Sequence, residues 1–505
     1  MLLMISHLVA LVSPYHAVLY HSILPMRSVV WGTLIDLAVV SMLAALLFTY
    51  LQKRETGWLT LVWVLIAARL ARTIVLNLNA DLHWNIPHLT PSTVFAVVVG
   101  GLALWWLRPA AYRVAVRGLL VLLFLAGCTA VWMVPELVYR GLQAQRTDPS
   151  APMTHPTLAL DRRDASRRGE RIVWLLFDEL SYDQTFDHRF PGLSMPSFDE
   201  FKSKSVVFSN LRPTGAATDQ VIPGFFLGKP VANIRSGIDG EPMFQFAGSN
   251  QWHAFDARAT LFSDAHRLGW TTGVVGWFNP YCRILAGILD SCFWRMADGE
   301  FDGSMSTKSS LENALSPIQN IVWGLEQKPN FLQRIHQDDL SAIIQAATGL
   351  IRDQSISFVF IHLPVPHPPG IYDRKTGTLR AGGSYLDNLA LSDRVLGELM
   401  KTVNATASAS KTTVILCSDH SWRSYMWRLK PLWTKEDETA TRGQFDPRPV
   451  LMIHYPGQQV EHEVTAPFDE IRIHEIIQHM LQGQEPGLDK ALLAGGAAFP
   501  ATTQR

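Results

Sequence analysis

Residues 1–135 impose the strongest constraint on this chain, because apolar runs follow one another there with few charges between them. Backbone in such runs has to bond to itself, which makes them helices. Read as membrane spans they cover 1–24, 29–51, 58–76, 92–107 and 114–134, four or five in all, since His7, Pro14, His16 and His21 interrupt the first. The second can cross a hydrocarbon core of ~30 Å and holds one acidic residue, Asp36. Lys53 and Arg54 follow the second run, Arg108, Arg113 and Arg117 lie around the start of the last, and 77–91 has no Lys or Arg. The positive-inside rule then places the basic loops in the cytoplasm and everything after Pro135 on the external, periplasmic side of the plasma membrane. Arg69 and Arg72 fit this less well and have to face the bundle or snorkel. Trp31, Trp58, Trp105, Trp106 and Trp132 stand near run ends, as interfacial anchors do.

Residues 136–170, with Pro149, Pro152, Pro156 and then a charged cluster, read as a linker. Residues 171–505 have ordinary globular composition. Lys plus Arg and Asp plus Glu both total 44, so no global field points to nucleic acid. Four cysteines are too few for a disulfide scaffold. Cys282 and Cys292 either pair in an oxidising compartment or stay as two buried thiols.

From 171 onward, strand-like runs alternate with helical ones. Strands are expected at 172–177, 206–208, 270–275, 357–361, 412–416 and 450–453, and helices at 257–268, 340–351, 385–403 and 471–481. That alternation implies an α/β domain with a mostly parallel sheet covered on both faces. In such sheets the chemistry lies beyond the carboxyl ends of the strands. Asp178-Glu179 follows the first strand and Asp419-His420 the strand at 412–416; His362 and His367 follow the one at 357–361. Thr218 sits before an apolar segment containing Pro223 and ending at Gly228.

These four segments, in their order along the chain (Asp178-Glu179, Thr218, His362 and His367, Asp419-His420), resemble the membrane-anchored, sulfatase-like branch of the alkaline-phosphatase superfamily, which includes phosphoethanolamine transferases and lipoteichoic-acid synthases. The resemblance covers roughly 171–482. It implies Asp178, Thr218, Asp419 and His420 as metal ligands, Thr218 as nucleophile, and His367 beside the substrate phosphate. Two departures stand out. Nothing like the Cys-x-Pro-x-Arg context of formylglycine sulfatases surrounds Thr218, and 421–430 lacks the histidine that phosphoethanolamine transferases carry there.

The chemistry is coherent on residue types alone. A threonine hydroxyl is a weak nucleophile that metal coordination activates. Two carboxylates and an imidazole suit Zn²⁺ or Mn²⁺ better than an all-oxygen Ca²⁺ site. Arg423 is a candidate for binding an anionic substrate group. The competing roles are bland: Thr218 as a helix N-cap, Glu179 as a cap or a second ligand, His367 as an ordered loop residue, and His362, His454 and His474 as structural histidines. The expected activity is hydrolysis or transfer on phosphate esters of envelope lipids or glycans. The alternatives are a sulfuric-ester hydrolase and a catalytically silent envelope scaffold.

Overall fold

The computed structural model describes residues 26–53, 60, 62–64, 91–143, 169–237, 241–295, 331–430 and 432–483. The chain divides into two compact units, one built on 25–146 and the other carrying the sheet.

In the first unit, helices Met26–Lys53 and Pro91–Leu107 both pack on helix Pro109–Gln143. The last of these runs through Pro135, beyond the boundary expected there. The spans expected over 1–135 are not found as such: among the described residues no helix is long and apolar enough to cross a membrane. Pro91–Leu107 has 17 residues, about 25 Å at the helical rise, short of a ~30 Å core. Pro109–Gln143 is longer but carries Arg113, Arg117, Glu136 and Arg140. The run expected at 1–24 lies outside the described residues, as does most of 58–76. Large apolar side chains nevertheless face outward on these helices: Leu46 is 61%, Trp106 77% and Phe124 72% exposed.

The second unit is a doubly wound α/β domain. Its eight-stranded sheet runs His462–Val464, Val206–Phe208, Leu451–His454, Thr412–Ser418, Arg171–Phe177, Phe358–Leu363, Thr272–Trp277, Ser291–Arg295. Only Leu451–His454 is antiparallel to its neighbours. Every residue of Arg171–Phe177 is buried. Alternate side chains explain why: Ile172, Trp174 and Leu176 join one core with helices Thr218–Leu227, Leu261–Arg267 and Ile473–Leu481. Val173, Leu175 and Phe177 join the other, with helices Phe331–Arg352 and Tyr385–Asn404. A strand sandwiched in this way needs a continuous apolar run, not an alternating one. Arg171 is the exception that caps. Its guanidinium donates to the carbonyls of Leu350, Ile351, Asp353 and Ile356, satisfying the end of helix Phe331–Arg352 with a cation where the helix dipole favours one.

Cys282 and Cys292 form a disulfide, joining the turn Tyr281–Ile284 to the edge strand Ser291–Arg295. Closing so short a loop contributes about 2–3 kcal/mol in the chain-entropy account. The Cys282→Ser/Cys292→Ser variant is expected to lose that much in a urea denaturation, and an unchanged midpoint would contradict it.

Candidate metal and nucleophile site

Arg171–Phe177 and Thr412–Ser418 are parallel neighbours with Phe177 opposite Ser418, so Asp178 and Asp419 leave the sheet side by side. Ser418 holds the junction together. Its hydroxyl accepts from the Leu180 N–H at 2.8 Å and lies 2.9 and 2.7 Å from the Phe177 and His420 carbonyls. The serine before Asp-His therefore fixes both loop exits relative to each other.

Thr218 is the first residue of helix Thr218–Leu227, preceded by extended Ala217. It does not act as an N-cap. Ala217 holds that position without a side-chain bond, and the Thr218 hydroxyl donates instead to Asp419 Oδ2 at 2.7 Å. His420 Nε2 lies 3.3 Å from the same oxygen. The helix N-terminus favours negative charge at this place.

Asp178, Asp419 and His420 each offer one ligand atom, all within 4.8 Å of one another, and all three residues are buried. Burial alone would raise the Asp419 carboxyl; His420 and Thr218 outweigh it and hold it below the ordinary carboxylate range. Two buried carboxylates this close, with an imidazole and a hydroxyl beside them, form a hard and borderline donor set that fits a divalent cation.

Glu179 is neither ligand nor cap. Its φ of 62° turns it out of line with Asp178. Its carboxylate, fully buried, receives Arg423 Nε at 2.6 Å and Trp427 Nε1 at 2.9 Å. Arg423 Nη1 also donates to the Ala216 carbonyl at 3.2 Å, which ties Glu179 to the loop before Thr218. The arginine considered for anion binding is thus also a structural tie.

His367 is buried edge-to-face against both Trp277 and Trp427, at 5.2 Å to each ring. Burial, then the charge of Arg423, pushes its imidazole well below the ordinary histidine range and keeps it neutral. His336 lies behind it, stacked on Trp277, donating Nε2–H to the Pro364 carbonyl at 2.7 Å. Burial lowers His336 to about 4. Between pH 6.5 and 4 the unfolded chain binds a proton that folded His336 does not, so stability falls as pH falls through that window. The loss for this residue is up to roughly 3 kcal/mol. His336→Gln is expected to have a shallower decline of urea midpoint from pH 7 to 4.5 than wild type; equal declines would refute this.

Three groups escaped the sequence reading. His362, expected to be structural, places Nε2 3.2 Å from Asp178 Oδ2. Its cross-strand position beside Leu176, two residues before Asp178, could have shown this. Asp219 directly follows Thr218, and burial, opposed by Arg423, pushes its carboxyl up to about 6. Glu470 accepts the Thr214 N–H at 2.8 Å, in the loop before Thr218. His454 and His474 are structural, donating to the Lys204 and Phe225 carbonyls.

Fold and site together describe an α/β enzyme of charged esters, with its polar groups gathered at the carboxyl ends of adjacent parallel strands. Residues 170–480 match the family model described as Sulfatase, more than half of the chain. The chain belongs to the sulfatase family and is an ester hydrolase or transferase. Enzymes of this family generally use a divalent metal, which agrees with the Asp178, Asp419 and His420 group.

Among solved structures, lipoteichoic acid synthase LtaP from Listeria monocytogenes is similar at 12% identity and a TM-score of 0.39, over 67% of this chain and 78% of that one. Phosphonate monoester hydrolase of Agrobacterium radiobacter gives 11% and 0.35, over 62% and 74%. An alkaline phosphatase superfamily protein from Vibrio parahaemolyticus gives 15% and 0.35, over 66% and 72%. No curated protein matches the sequence.

Proposed function

We propose that this chain is a membrane-attached, metal-dependent enzyme that hydrolyses or transfers phosphate esters of envelope lipids or glycans, with Thr218 as the nucleophile. The observation that carries this reading is the Thr218 hydroxyl, buried at a helix N-terminus, 2.7 Å from Asp419 and 3.3 Å from His420. Asp178, Thr218, Asp419 and His420 would hold a divalent ion, Zn²⁺ or Mn²⁺ by donor type, which when bound supplies charge neutralisation for the phosphoryl oxygens and the threonine alkoxide.

The chain's own residues do the rest. Thr218 Oγ1 attacks phosphorus; the new O–P bond forms as the bond to the leaving oxygen breaks, giving a phosphothreonine. Water or an acceptor hydroxyl then takes the phosphoryl group and frees Thr218. Neutral His367 hydrogen-bonds a phosphate oxygen, a role its low basicity favours over acid catalysis. Arg423, held by Glu179, adds positive charge beside the nucleophile loop. The absence of a formylglycine context favours phosphate over sulfate esters, and the intact donor group speaks against a silent scaffold.

Attachment to the bilayer rests on the apolar sequence of 1–135 and on the outward-facing Leu46, Trp106 and Phe124. The Cys282–Cys292 disulfide supports an external, oxidising location for the catalytic domain. The test is hydrolysis of bis-p-nitrophenyl phosphate and p-nitrophenyl sulfate by chelator-treated protein, with and without added Zn²⁺ or Mn²⁺. Metal-restored phosphodiesterase activity is expected. Faster sulfate release, or activity indifferent to chelation, would overturn the reading.

A further inference from the structure

We infer that Tyr281 is a positioning residue for the metal site, acting through His362 on the ligand Asp178; the inference rests on the metal-site reading above. All three side chains are essentially sealed from solvent. The Tyr281 hydroxyl lies 2.8 Å from His362 Nδ1, and His362 Nε2 lies 3.2 Å from Asp178 Oδ2. A carboxylate can only accept, so Nε2 carries the hydrogen and Nδ1 is the acceptor. That leaves the tyrosine O–H as donor to Nδ1, and the direction of the chain is set: Tyr281 to His362 to Asp178.

A hydrogen bond to one carboxylate oxygen selects how that carboxylate is turned toward the other donors of the group. Such outer partners orient ligands and tune the affinity of a metal site. The local backbone is arranged around this contact. Gly276 lies on the strand under the tyrosine ring, where any Cβ would overlap the ring itself. The adjoining Cys282 is bridged to Cys292, so the short turn carrying Tyr281 is tied to the sheet edge. A tyrosine needed only as core filling would serve equally well as phenylalanine.

The test uses Zn²⁺ alone, titrated into the metal-free full-length chain against a chromophoric chelator, below the melting temperature of every variant. Tyr281→Phe and His362→Leu are expected to bind Zn²⁺ about 10–100-fold more weakly than wild type. His362→Gln, whose amide can donate to Asp178 and accept from Tyr281, is expected to remain near wild type. A purely structural role would lower melting temperatures and leave affinity alone. Wild-type Zn²⁺ affinity in Tyr281→Phe overturns the inference, whatever His362→Leu does. If wild type itself binds no Zn²⁺ while folded, the metal-site reading fails first and takes this inference with it.

Discussion

Thr218→Ala is expected to cut metal-dependent phosphodiester turnover by roughly 10⁴-fold or more, the range seen when a nucleophile is deleted from a cooperative site. The fold should survive. Thr218 makes one strong side-chain bond, to Asp419, and Asp419 keeps the backbone N–H groups of Glu179 and His420 as donors to its other oxygen. The loss in stability is therefore about 1 kcal/mol, that of a single hydrogen bond. Thr218→Ser separates nucleophile from scaffold: it retains the attacking oxygen and loses only a methyl group, so it should keep measurable turnover and form a phosphorylated enzyme detectable by mass. Thr218→Ala with turnover close to wild type would remove threonine from the mechanism.

Arg423→Ala is expected to be the most destabilising change near the site. The Glu179 carboxylate is wholly enclosed, and the Arg423 side chain that neutralises it is only 14% exposed. Deleting the arginine leaves a buried charge held by Trp427 Nε1, and breaking one half of a buried pair typically costs about 3–5 kcal/mol. Replacing both partners, as Glu179→Gln with Arg423→Met, should restore most of that stability because no charge is then stranded. Activity discriminates further. If Arg423 also contacts substrate phosphate, the double variant folds but shows a raised KM. A urea midpoint for Arg423→Ala equal to wild type would show that the pair contributes nothing, contrary to its geometry.

The sheet was readable in advance because its strands are sandwiched. Runs such as Arg171–Phe177 and Thr412–Ser418 are apolar on both faces, and six of the eight sheet strands were expected within two residues at each end. The small antiparallel sheets outside the main sheet were not foreseen. The hairpin Gly370–Asp373 with Thr378–Gly383 and the small sheet spanning 231–254 are short and part-exposed, with no apolar run to announce them. The helix starting at Phe331 was read as starting at Leu340 because residues that its first turns bury, Gln333, His336 and Asp339, are polar.

At the site, residue types at strand ends were enough to single out Asp178, Asp419 and His420, since parallel sheets deliver their loops to one edge. Partnership was another matter. Glu179 sits next to Asp178 in sequence and is as acidic, yet a left-handed backbone turn sends it to Arg423 and Trp427, 244 and 248 positions away. His362, expected to be structural at its strand end, reaches Asp178 because register sets it opposite Leu176. The sequence by itself determined the alternation of strands and helices and the kinds of donor atom at the strand ends, because these follow from local hydrophobic pattern and side-chain chemistry. Only the tertiary structure decided which carboxylate meets the threonine, which is neutralised by an arginine, and which histidine orients a ligand, because those contacts depend on register and backbone direction across more than 180 residues of chain.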